Sequence, residues 1–92
     1  MLPRIKRFQP VSEFKLLLTF TDGRQGEVDL LPHFQGKPGL LGELAQLERF
    51  KQVRVDEEAD TLSWPNGVDL DPDVLYSEAT GAPLPGGSAS AP

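Results

Sequence analysis

Three aspartates, Asp69, Asp71 and Asp73, recur at every second position just after Asn66 and Gly67. Carboxylates this dense resemble the raw material of a calcium loop. Such a loop needs ligands at fixed offsets, a glycine in sixth place and a closing glutamate in twelfth. Counted from Asn66, the sixth place falls on Asp71, and the pattern fails. Structural duties account for all three. Asp71 is suited to cap a helix that starts at Pro72, Asp73 sits on the favourable side of its dipole, and Asp69 belongs to the preceding turn.

His33 with Asp29 is the one pair suited to acid–base work, but no serine or cysteine nucleophile motif accompanies it. A lone loop histidine is ordinarily just exposed. Gly36, Gly39 and Gly42 are spaced by three and lack the lysine–serine pair of a phosphate loop. The chain has no cysteine, which removes disulfides, thiolate chemistry and cysteine-based zinc sites. The expectation is a protein that is not an enzyme and holds neither cofactor nor metal.

Charge points to binding instead. The 92 residues carry a formal net charge of −5, which disfavours direct contact with nucleic acid. Asp56, Glu57 and Glu58 form an acidic run that would be steered toward a basic partner. The one basic cluster, Arg4, Lys6 and Arg7, reads as an edge-strand guard. Trp64 has two readings. It shares a strand face with Leu62, as a core residue does, and tryptophan is also over-represented among interface anchors. Asp56, Glu57, Glu58, Trp64, Asn66 and Asp69 are therefore the candidate interaction residues.

The elements that must position them can be read from periodicity. Arg4 to Gln9 is a short strand, followed by a turn at Pro10 and Ser12. Phe14, Leu16, Leu18 and Phe20 alternate with polar positions, the period-two pattern of a strand with one buried face. Asp22-Gly23 then turns the chain into a returning strand from Gln25 to Leu30, because glycine readily takes the positive φ of a tight turn. Pro32 to Gly39 reads as a loop. Leu40, Leu41, Leu44 and Leu47 fall on one helical stripe and predict a central helix over 40–48.

Phe50 to Val55 and Thr61 to Trp64 predict two more strands across the acidic turn, and Pro72 opens a short helix to Tyr76. The fold class is α+β: a small antiparallel sheet of about five strands, one central helix and a short C-terminal helix. Its expected core is Phe14, Leu16, Leu18, Phe20, Val28, Leu30, Leu44, Leu47, Val53, Val55, Leu62 and Trp64. Residues 1–80 make a single domain. Residues 81–92 are rich in Pro, Gly, Ser and Ala, carry no charge, and predict a flexible tail. With no leader and no apolar run longer than Leu16 to Leu18, the expected setting is cytoplasmic, away from membranes.

The segment Trp64-Pro65-Asn66-Gly67-Val68-Asp69-Leu70-Asp71-Pro72, followed by Leu75-Tyr76, carries a resemblance. With Phe20-Thr21-Asp22-Gly23 ahead of Val28-Asp29-Leu30, and Phe50 leading Val53-Arg54-Val55-Asp56, it resembles a small bacterial family, domain of unknown function 2442, over residues 5 to 77. The resemblance implies a compact α+β fold. Some members of that family carry a helix-turn-helix DNA-binding domain after this one, and some are encoded beside a small toxin-like partner. It implies no catalytic residues. Ending in a Pro/Gly/Ser tail, this chain departs from the longer members.

The leading expectation is thus a protein-binding module, a regulatory or antitoxin-like partner of a small basic protein. The alternatives are a component of a DNA-associated transcriptional regulator, using Arg4, Lys6, Arg7, Lys51 and Arg54, and a small-ligand sensor. Homodimerisation through a strand edge is compatible with each.

Overall fold

A computed structural model describes residues 3–82. Three strands, β1 (Ile5–Ser12), β2 (Lys15–Phe20) and β3 (Gln25–Asp29), form an antiparallel meander in the order β1-β2-β3. The alternation in β2 is realised as read: Leu16, Leu18 and Phe20 are buried, and Leu16 lies opposite Val28 of β3. The Asp22-Gly23 turn closes with Gly23 at φ 91° and the Asp22 carboxylate accepting the Arg24 amide. β1 does not turn at Pro10 but runs on to Ser12, with register shifts on both sides of its middle. A proline survives there because β1 lies at the sheet edge, where a missing N–H need break no ladder bond.

The stretch expected as a loop at Pro32 starts with a helical turn, α1 (Leu31–Phe34), which buries Phe34. The expected central helix over 40–48 is two short helices, α2 (Gly39–Glu43) and α3 (Leu47–Phe50). Between them Gln46 adopts extended backbone, φ −90° and ψ 124°, and the chain bends. Gly42 makes this segment a weak helix, and packing overrides the stripe. Leu44 is buried, whereas Leu40 stays 52% exposed. Phe50, expected to open a strand, closes α3 instead and is buried; β4 begins only at Arg54.

β4 (Arg54–Asp56) and β5 (Thr61–Ser63) form a second, two-stranded antiparallel sheet, so the five strands belong to two sheets rather than one. A single bridge from Ser63 to Asp69 adds a third edge. α4 (Pro72–Thr80) is nine residues long and outlasts the expected end at Tyr76. Asp71 caps it as read, accepting the Asp73 amide at 2.9 Å, and Gly81 stops it at φ 80°. The expected tail lies outside the described residues from residue 83 onward.

The core joins the two sheets and the short helices. Ile5, Phe34, Phe50 and Leu75 belong to it although their spacing did not single them out; Phe14, Leu47, Val53 and Val55 are only half-buried. Phe34, Phe50 and Trp64 pack as an aromatic cluster with ring centroids 5.3 to 6.1 Å apart, within the range where edge and tilted contacts are favourable.

Candidate functional site

The acidic turn between β4 and β5 is rigidly built. The Asp56 carboxylate accepts the amides of Glu58 at 2.8 Å and Ala59 at 3.3 Å, and the Asp60 amide bonds back to the Asp56 carbonyl at 2.7 Å. This local bonding is what aspartate offers a turn. With Asp56 engaged, Glu57 and Glu58 are left exposed. The Ile5 amide donates to the Asp60 carbonyl at 3.0 Å, which ties the turn to β1.

The opposite wall is the strand-like segment after Gly67. The Thr61 hydroxyl donates to the Leu70 carbonyl at 2.6 Å and fixes Asp69 and Asp71 beside the β4–β5 turn. Between these walls lies an open cleft of about 530 Å³, lined by Arg4, Glu58, Asp60, Asp69 and Asp71 among others. Glu57 continues the acidic surface along the turn. These five carboxylates are exposed, and among the described residues none of them forms an ion pair; the close acid–base side-chain contacts present are Arg49–Glu43 and His33–Glu78. Asp60 and Asp71 are not among the six candidate interaction residues that the sequence suggests. Their membership depends on two segments meeting in space.

The six candidate residues therefore divide. Glu58 and Asp69 line the same cleft, and Glu57 is exposed next to Glu58 on the turn, in a neighbouring hollow with Arg54. Asp56 is half-buried and spent on the turn. Trp64, 1% exposed, is a core residue with no rim to offer, and its indole N–H donates to the Phe50 carbonyl at 3.0 Å. Asn66 sits at the hairpin tip beyond the other end of β5, where its side chain accepts the Val68 amide and donates to the Leu40 carbonyl. The basic residues are not gathered: Arg4 stands inside the acidic cleft, Lys51 lines an apolar groove, and Lys6, Arg7 and Arg54 lie on β1 and β4.

His33 pairs not with Asp29 but with Glu78, at 3.0 Å, linking α1 to α4; the Asp29 carboxylate accepts the Leu31 amide. A second cross-chain link joins Tyr76 to Asp22, hydroxyl to carboxylate at 2.6 Å. That bond holds the Asp22 carboxyl below its ordinary value, helped by the Arg24 amide, and pushes the Tyr76 hydroxyl above its own. Among the described residues no group of three or more His, Cys, Asp or Glu could hold a metal ion, and no helix is long and apolar enough to cross a membrane.

One surface went unanticipated. Phe8, Pro10, Val11, Leu16, Leu47, Phe50 and Val53 line an open apolar groove of about 500 Å³, rimmed by Glu13 and Lys51. It lies between the end of β1 and α3, where Val11 stays 46% exposed.

A family model described as Protein of unknown function (DUF2442) matches residues 5–81. Searches of curated proteins and of solved structures gave no match. The matched span runs from the first residue of β1 to the glycine that ends α4, taking in both sheets and the carboxylates of the acidic cleft, so the chain belongs to the DUF2442 family of proteins of unknown function.

Proposed function

We propose that this domain is a protein-binding module, a regulatory or antitoxin-like partner that receives a small basic protein on its acidic face in the bacterial cytoplasm. The observation that carries this reading is the convergence of Glu58, Asp60, Asp69 and Asp71 on one cleft without internal ion pairs, with Glu57 exposed beside Glu58 on the same turn. Unpaired exposed carboxylates on a pinned turn lose little on binding, because the backbone beneath them is already ordered. Their summed field also raises the rate of encounter with a basic surface.

The test is capture of partners from lysate at low salt with the native chain and with a Glu57→Lys, Glu58→Lys, Asp69→Lys variant. A small basic protein held by the native chain, and lost both from the variant and on raising salt, supports the reading. Equal retention by the variant removes this face from consideration.

The apolar groove beside β1 supports a second reading, a small-ligand sensor, since ligand sites are concave and mostly apolar. The dispersed basic residues give the DNA-associated reading less support.

A further inference from the structure

Asn66 is the single asparagine of the chain, and glycine follows it. An asparagine–glycine pair is the peptide context most open to spontaneous deamidation, because glycine places no side chain in the way of ring closure. The glycine nitrogen attacks the asparagine Cγ, a new N–Cγ bond forms and the Cγ–Nδ2 bond breaks. Ammonia leaves, taking up the proton that the glycine nitrogen sheds. Water then opens the cyclic imide to aspartate or isoaspartate. The net change is the amide plus water giving a carboxylic acid plus ammonia, with no oxidation or reduction.

Every atom needed for that attack is held elsewhere by the fold. The Gly67 nitrogen, the nucleophile, donates to the Trp64 carbonyl at 3.0 Å. The Asn66 Oδ1 accepts the Val68 amide at 3.1 Å, and its Nδ2 donates to the Leu40 carbonyl at 3.2 Å, so both ends of the amide group are fixed. The hairpin itself is anchored by the buried indole of Trp64 and by the Trp64 amide bonding to the Val68 carbonyl at 2.9 Å. Attack requires these bonds to break together, which is a local opening of the hairpin.

We propose that Asn66 is a latent deamidation site, silenced while the 64–68 hairpin is closed and released when it opens. The product does not fit the closed tip. A carboxylate at position 66 has no proton to give the Leu40 carbonyl, and two oxygens would face each other where a donor and an acceptor now meet. Conversion also adds one negative charge to an already acidic chain. The change is irreversible, so the hairpin records past opening of the domain.

The experiment follows deamidation of the full chain by peptide mapping and mass at mildly alkaline pH. Folded protein is compared with the same chain unfolded in guanidinium chloride. The expected result is conversion confined to residue 66 and at least about tenfold slower in the folded state, equivalent to an opening free energy of about 1.4 kcal/mol. Equal rates in the two states, or no conversion at residue 66 in the unfolded chain, would overturn the proposal. An Asn66→Asp variant gives an independent check: thermal unfolding below that of the native protein is expected, and an unchanged midpoint counts against the proposed loss of the Leu40 tie.

Discussion

Gly26 of β3 and Ala79 of α4 are in backbone contact: a Cβ built on Gly26 would overlap the Ala79 carbonyl and crowd its side chain, at 2.8 Å from the Ala79 Cβ. The glycine lets the C-terminal helix lie directly on β3, on the face that Gly26 shares with its buried cross-strand partner Leu18. The seating of α4 on the sheet thus depends on one missing methyl group.

Gly26→Ala is expected to push α4 from β3 and destabilise the domain by about 1–3 kcal/mol, the usual cost of overpacking. Denaturant titration measures it, and hydrogen exchange should place the loss in α4 first. A variant as stable as the native protein would show that α4 is not seated as described.

The buried setting of Trp64 makes two substitutions diagnostic. Trp64→Ala should cost about 3–5 kcal/mol, a large part of the roughly 4–12 kcal/mol expected for a domain of this size. Trp64→Phe should cost about 1–3 kcal/mol through the lost ring volume and the lost indole bond to the Phe50 carbonyl, which keeps the Val53 amide as a donor. As the single tryptophan, it should also emit at short wavelength and resist quenching by iodide. Emission typical of a hydrated indole would restore the interface reading.

The Tyr76–Asp22 bond predicts a loss of stability at each end of the pH scale. The Asp22 carboxyl titrates below its ordinary 3.8 in the folded state, through the Tyr76 bond first. Its contribution is present above that value and is lost as pH falls through the folded-state one. Tyr76 titrates above its ordinary 10.0, so its contribution is present below that value and is lost as pH rises through the folded-state one. Tyr76→Phe should remove the alkaline dependence and weaken the acid one, part of which the Arg24 amide still sustains. Thermal unfolding against pH, native beside variant, reads this out, and parallel curves would show that the bond is not maintained in solution.

Charge reversal on the acidic face should separate binding from folding. Glu57, Glu58 and Asp69 are exposed and outside the core, so each lysine replacement should change stability by no more than about 0.5 kcal/mol. Association with a basic partner should weaken mainly through a slower on-rate and lose its salt dependence. A stable triple variant whose on-rate is unchanged would move the proposed contact elsewhere.

Much of the fold was legible because local rules agreed with packing. The Leu16, Leu18, Phe20 alternation, the Asp22-Gly23 turn and the Asp71-Pro72 helix start each rest on backbone geometry that a few adjacent residues dictate. The 40–48 helix was misread for a physical reason. Leu40, Leu41, Leu44 and Leu47 do have helical spacing, but a stripe says only that a helix is allowed. Gln46 is extended because turning there lets α3 bury Phe50 against Trp64.

What the chain determined by itself, then, is the β2 alternation, the Asp22-Gly23 turn, the Asp71-capped helix start, the acidity and the absence of cysteine chemistry. These depend on residue type and near neighbours. Only the tertiary structure decided that five strands divide between two sheets, that Trp64 is spent on the core, and that Asp60, Asp69 and Asp71 stand beside Glu58. It alone also joined His33 to Glu78 and Tyr76 to Asp22 across 45 and 54 positions. Those contacts form when distant segments compete to bury the same apolar surface, and no short window of sequence contains both sides of that competition.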